Sequence, residues 1–192
     1  MKRTVLNTED PYFYEHNGFE VEAFKLSIAT NIKERKFKRG ASTISMQLVK
    51  NVFLTRNKNM MRKLEEILLV WLMESSNQVS KDRLFEVYLN VIEWGKNVYG
   101  IQEAASYYFG VKPQDLNIGQ SLYLSSIIPR PKTGLGSFDY SGQLKPWVQK
   151  HFNTYGYIMN KRKQLQDENV PGAYGFYEVS LQPGLRPARP KG

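Results

Sequence analysis

Arg62, Lys63 and Glu66 place two cations and a carboxylate within five residues of the sequence. On a helix turning about 100° per residue, Arg62 and Glu66 lie one turn apart and Lys63 sits three residues before Glu66, so two cations flank one carboxylate. Such a pattern can be a weakly stabilising surface ion-pair cluster or the edge of an anion site. Position favours the site. The triplet opens a stretch whose next two turns are apolar, and at the margin of a core desolvation strengthens electrostatics.

Glu9 is a second carboxylate of interest, in a turn-rich segment with Pro11, Tyr12, Phe13 and Tyr14. An aromatic setting would exclude water from it and raise its pKa towards the range of a general base. Taken alone it reads more simply as a loop acid, and Asp10 beside it as a local cap. Ser42 is the expected N-cap of a helix carrying Ile44, Leu48 and Val49, and the exposed amides of that turn suit phosphate. His16 has no serine or cysteine nucleophile pattern near it and reads as structural. Glu86 and Asn90 read as helix support.

Helical periodicity is the main signal in the elements that must position these groups. Val21, Phe24, Ile28 and Ile32 mark a helix over 19–36, and 53–60 is a basic loop with Arg56 and Lys58. The stretch 61–74 is apolar all round from 67 to 73 and is expected to run through the core. Leu84, Phe85, Tyr88 and Leu89 share one face of a helix over 81–91; 94–100 is a loop. Further helices are expected from Ile101 to Gly110, over 118–128 and over 147–166, with an irregular connection at 133–142. The last stretch, 167–192, holds Pro171, Pro183, Pro187 and Pro190 and reads as an extended or disordered tail, with a short hairpin conceivable around 170–181. No strand pattern is strong enough to build a sheet. The expectation is a mainly α domain over 1–166 followed by that tail.

The 192 residues, 41% of them hydrophobic, suffice for a sizeable core. A formal net charge of +9 predicts attraction to nucleic acid, an anionic membrane surface or a phosphorylated substrate. There is no cysteine, and the two histidines, His16 and His151, have no zinc spacing. No P-loop, dinucleotide fingerprint or RNA-binding signature appears, which argues against nucleic acid. The longest apolar run, 67–73, is far short of the roughly 20 residues of a membrane span. With no element expected ahead of Glu9, the reading is of a domain cut from a longer, anchored protein.

The ordered motifs resemble the peptidoglycan glycosyltransferase domain, family 51 of the glycosyltransferases, found in bifunctional penicillin-binding proteins and monofunctional transglycosylases. The pattern E-D-x-x-F-x-x-H-x-G is met by Glu9, Asp10, Phe13, His16 and Gly18. The pattern G-x-S-T-I-T-Q-Q-L-x-K-N is met by Gly40, Ser42, Thr43, Ile44, Gln47, Leu48, Lys50 and Asn51, with Ser45 and Met46 departing from it. R-K-x-x-E is Arg62, Lys63 and Glu66, and a fourth motif resembles Lys81, Glu86, Tyr88, Leu89 and Asn90. The likeness runs from residue 4 to about 131.

That resemblance implies a lysozyme-like helical lobe with a smaller, membrane-associated jaw. It implies polymerisation of lipid II into β-1,4-linked glycan with inversion and release of undecaprenyl pyrophosphate. Glu9 would be the base, and Glu66, Arg62 and Lys63 would border the pyrophosphate, with Asp10, Ser42, Gln47 and Lys50 completing the substrate contacts. Glu66 would either hold a metal or orient the cations, and Mg²⁺ or another divalent cation is the implied cofactor. Partners would be lipid II, the growing strand, the membrane and other cell-wall synthesis proteins. The location would be the outer, periplasmic side of the cytoplasmic membrane. Met46 is expected to remove an amide from the cleft. The rivals are a lysozyme-like hydrolase or lytic transglycosylase, and a non-catalytic basic module that binds lipid II or membrane.

Overall fold

A computed structural model describes residues 1–19, 42–54, 60–76, 78–162 and 179–187, with the backbone alone at 60–63 and 151. The expected helix over 19–36 and the basic loop residues Arg56 and Lys58 lie outside the described residues, apart from Phe19. The described chain is mainly helical, as the sequence predicts, and divides into two compact units, Glu9–Val91 and Met1–Thr8 with Ile92–Gly192.

In the unit Glu9–Val91, helix α2 (Ile44–Val52) packs on α3 (Met60–Ser75) and α4 (Lys81–Val91). Met46, Val49 and Val70 form one buried cluster, with Leu54, Leu69 and Met73 packed against it. The α4 face of Leu84, Phe85, Tyr88 and Leu89 is buried as its spacing predicts. Phe13 lies 5.8 Å from Phe85, and Phe85 stacks on Tyr88 at 6.3 Å.

Helix α3 departs from expectation. Val70 and Glu66 are buried, but Leu64, Leu68, Trp71 and Leu72 are 60, 55, 56 and 49% exposed. At about 100° per residue these four fall within an arc of about 100°, so α3 is a surface helix with an apolar stripe and not a core rod. Uniform apolarity conceals which face is covered.

The other unit opens with a helix that the sequence reading missed. Helix α1 (Lys2–Glu9) buries Thr4, Val5 and Asn7, and Asn7 Oδ1 accepts a hydrogen bond from Arg162 Nη1 at 2.6 Å. Its short, mixed sequence has no apolar periodicity, so tertiary contacts define it. The expected loop at 94–100 contains an antiparallel hairpin, β1 (Glu93–Gly95) and β2 (Val98–Tyr99), turned through Asn97 at φ 62°. Helix α5 (Gly100–Phe109) ends at Gly110, whose φ of 68° lets its N–H reach back to Ala105 and Ser106 carbonyls.

Helix α6 (Ile118–Ile127) starts from a capping box between Asn117 and Gln120, and α7 (Pro146–Lys161) packs on it. Short 3₁₀ turns fill Pro113–Asp115 and Pro131–Ser137. The core here is aromatic: Tyr108, Phe109 and Phe138 all ring Tyr123 within 6 Å between centroids. Within the C-terminal stretch, Val179 and Leu181 are buried, Ser180 bridges Gln143, and Leu181 N–H donates to the Gly142 carbonyl at 3.0 Å.

Candidate active site

Glu9 is the last residue of α1, not a loop acid, and it is partly buried. Its Oε2 accepts from Gln47 Nε2 on α2 at 2.9 Å, and Gln47 Oε1 accepts from the Tyr88 hydroxyl on α4 at 3.0 Å. Burial pushes the Glu9 carboxyl up from its ordinary value; the Gln47 hydrogen bond opposes this, the Asp10 charge adds to it and Lys50 opposes it again. The expected elevation is present, but Tyr12 and Tyr14 are exposed. The aromatic that feels Glu9 is Tyr88, whose phenol is held well above its usual range by burial and by the charges of Glu9 and Asp10.

Asp10 is 2% exposed and is committed to the fold. Its Oδ2 accepts from Ile44 N–H at 3.0 Å, and its carboxylate receives His16 Nε2 at 2.9 and 3.1 Å. The first amide of α2 therefore meets a protein carboxylate where the sequence suggested phosphate. Thr43, not Ser42, is the N-cap: its hydroxyl accepts from Met46 N–H at 3.2 Å and donates to the Gly18 carbonyl at 2.6 Å. Ser42 itself is exposed. Gly18 is fixed by that turn, since its φ is 83° and a Cβ there would run into the Val70 side chain.

The two departures from the second motif face inward. Met46 is 3% exposed and packs in the core with Val49 and Val70, so it takes no amide from a cleft, contrary to expectation. Ser45 donates to Glu74 Oε1, which also accepts from Lys81 Nζ at 2.8 Å. Lys81 Nζ stands 4.4 Å above the Phe13 ring. The sequence reading missed this part-buried network of Ser45, Glu74 and Lys81, because a seven-residue separation across a turn matches no helical pairing rule. It also missed Tyr88 as more than core; the one available signal was that a buried phenol needs a polar partner.

Glu66 lies buried on α3, and the helix places Arg62 one turn before it. The Arg62 and Lys63 side chains lie outside the described residues. Lys50 is exposed and acts on Glu9 through its charge. Among the described residues no group of three or more His, Asp or Glu could hold a metal ion, so they do not make a protein-built cage for a divalent cation. In the other unit, a cleft of about 790 Å³ is lined by Arg130, Trp147, Lys150 and Thr154 among others.

A carboxyl raised by burial and held by an amide thus sits on a helical scaffold capped through the E-D-x-x-F-x-x-H-x-G turn. The chain belongs to the transglycosylase family, whose model matches residues 1–145. It is similar to the biosynthetic peptidoglycan transglycosylase of Nitrosomonas eutropha, 46% identical over 132 residues that cover 69% of this chain and 53% of that protein. The protein of the same name from Methylobacillus flagellatus is 42% identical over 132 residues, covering 69 and 57% of the two chains. That from Nitrosospira multiformis is 37% identical over 150 residues, covering 78 and 62%. The chain spans about half the length of the first two of these curated relatives.

Proposed function

We propose that this chain carries the catalytic domain of a peptidoglycan glycosyltransferase that polymerises lipid II. The observation that carries the reading is Glu9: a partly buried carboxylate with its pKa raised by burial and one oxygen held by Gln47. A base poised above the ordinary carboxylate range is suited to taking the proton of an acceptor sugar's 4-hydroxyl. As that proton moves to Glu9, the hydroxyl oxygen bonds to the anomeric carbon of the donor strand. The bond from that carbon to the pyrophosphate oxygen breaks on the opposite face, and an α-linked diphosphate becomes a β-glycoside.

The leaving group departs as an anion and needs positive charge more than a proton. Arg62 and Lys63 in the first turn of α3, with Lys50, are the cations proposed to receive it. Buried Glu66, one turn on, is proposed to orient them. The hydrolase rival would need an acid that protonates a sugar oxygen; cations at the proposed leaving-group position favour transfer.

The membrane is the proposed setting, at the outer face of the cytoplasmic membrane. No described helix is long and apolar enough to cross a bilayer. The exposed stripe Leu64, Leu68, Trp71 and Leu72, on a chain of net charge +9, fits shallow insertion into an anionic lipid surface. The test of the reaction is incubation with labelled lipid II in detergent. The native chain should yield polymer, and Glu9→Gln should reduce the rate by about 10²–10⁴-fold, the usual weight of a general base. Equal polymer from both would sink the assignment of Glu9.

A further inference from the structure

We propose that Tyr88 is a positioning residue for the base: its buried O–H fixes the Gln47 amide so that the amide N–H₂, and not its oxygen, faces Glu9. The inference rests on the reading of Glu9 as the base, but its geometry stands independently. Tyr88 is fully buried, stacked on Phe85, and its hydroxyl donates to Gln47 Oε1 at 3.0 Å. The opposite end of the same amide donates to Glu9 Oε2 at 2.9 Å.

An amide can rotate end for end at almost no volume cost, so something must select one orientation. Turned over, Gln47 would set its oxygen against the Glu9 carboxylate and leave the Tyr88 hydroxyl proton without its acceptor. Both changes are costly in a buried site. The chain Tyr88, Gln47, Glu9 therefore runs in one direction, with each group donating to the next. Its effect is to occupy Oε2 of Glu9 and leave Oε1 for the incoming proton. The groups that act on Glu9 are Asp10, whose charge raises it, Lys50, whose charge lowers it, and the Gln47 amide, which lowers it; the neutral phenol lies beyond the amide.

The test uses the full chain with ¹³Cδ-labelled glutamate, the Glu9 resonance being assigned by its loss in Glu9→Gln. In Tyr88→Phe the Glu9 carboxyl should titrate at higher pH than in the native chain, because the amide is no longer held as a donor. Gln47→Leu should raise it as well, and adding Tyr88→Phe to Gln47→Leu should move it no further. With lipid II in detergent, Tyr88→Phe should lower kcat by about three- to tenfold, the weight of one hydrogen bond, at unchanged KM. The acid limb of its pH profile should move upward. An unmoved Glu9 titration in Tyr88→Phe, or additive shifts in the double variant, overturns the proposal. A shifted Glu9 in a chain whose Glu9→Gln variant still polymerises supports the relay and overturns only the base reading.

Discussion

Glu9, the proposed base, is a carboxyl whose burial works against the fold. Burial raises its folded pKa above the ordinary glutamate value, 4.5, that describes the unfolded chain. Below that value both states are protonated and the group is neutral to stability. As pH rises through the unfolded and then the folded pKa, the unfolded chain loses its proton first, so the charge increasingly disfavours folding. Glu9→Gln should therefore melt higher than the native chain at pH 7, with the difference vanishing as pH falls below about 4.5. Calorimetry over that range checks it, and a variant less stable than the native chain at pH 7 would show that the carboxylate is net stabilising. At this scale residue types were legible and partners were not. Motif spacing singled out Glu9 and Gln47, but nothing local to the sequence says that Asp10 caps Ile44, or that Met46 points into the core. Those outcomes depend on helix rotation, which a few ångströms of packing decide.

Helix α2 is the element on which these groups converge. One of its faces is buried with Val70, its first turn is capped by Thr43 and Asp10, Ser45 reaches Glu74 and Gln47 reaches Glu9. The Glu74–Lys81 pair joins the end of α3 to the start of α4, with side chains only 5 and 19% exposed. A buried pair is costly to break from one side, since the remaining charge is stranded. Lys81→Met should thus destabilise the protein by about 3–5 kcal/mol, and Lys81→Met with Glu74→Leu should recover much of it. Denaturant titration distinguishes these, and a double variant no better than the single one would place the loss in the Lys81 contact with Phe13. Amphipathic α4 was legible because its apolar stripe has a polar counterface; α3 was not, because 67–73 offers no contrast from which to read a buried side. Helix α1 and the β1–β2 hairpin escaped for a different reason. Elements of eight, three and two residues carry too few positions for any period to show.

For the molecule as a whole, charge and apolar surface act together. A stripe of Leu64, Leu68, Trp71 and Leu72 left in water is a liability unless a partner covers it, and a net charge of +9 makes an anionic bilayer the partner proposed. The charge would concentrate the chain at the surface over a Debye length of about 8 Å at physiological salt, and the stripe would then supply contact that salt does not screen. Each large side chain moved from water into the acyl boundary is worth about 1.5–3 kcal/mol, or roughly tenfold or more in affinity. Binding to vesicles rich in phosphatidylglycerol should accordingly weaken by at least about tenfold in Trp71→Ser and by more in Leu68→Ser with Trp71→Ser. The helix should remain folded, because both positions are exposed. Raising salt should weaken the native chain and the variants by the same factor, since substitution on the stripe leaves the charge untouched. Vesicle co-sedimentation at two salt concentrations measures both effects; variants that bind like the native chain at either concentration would mean that charge alone holds the surface and that α3 faces something other than lipid.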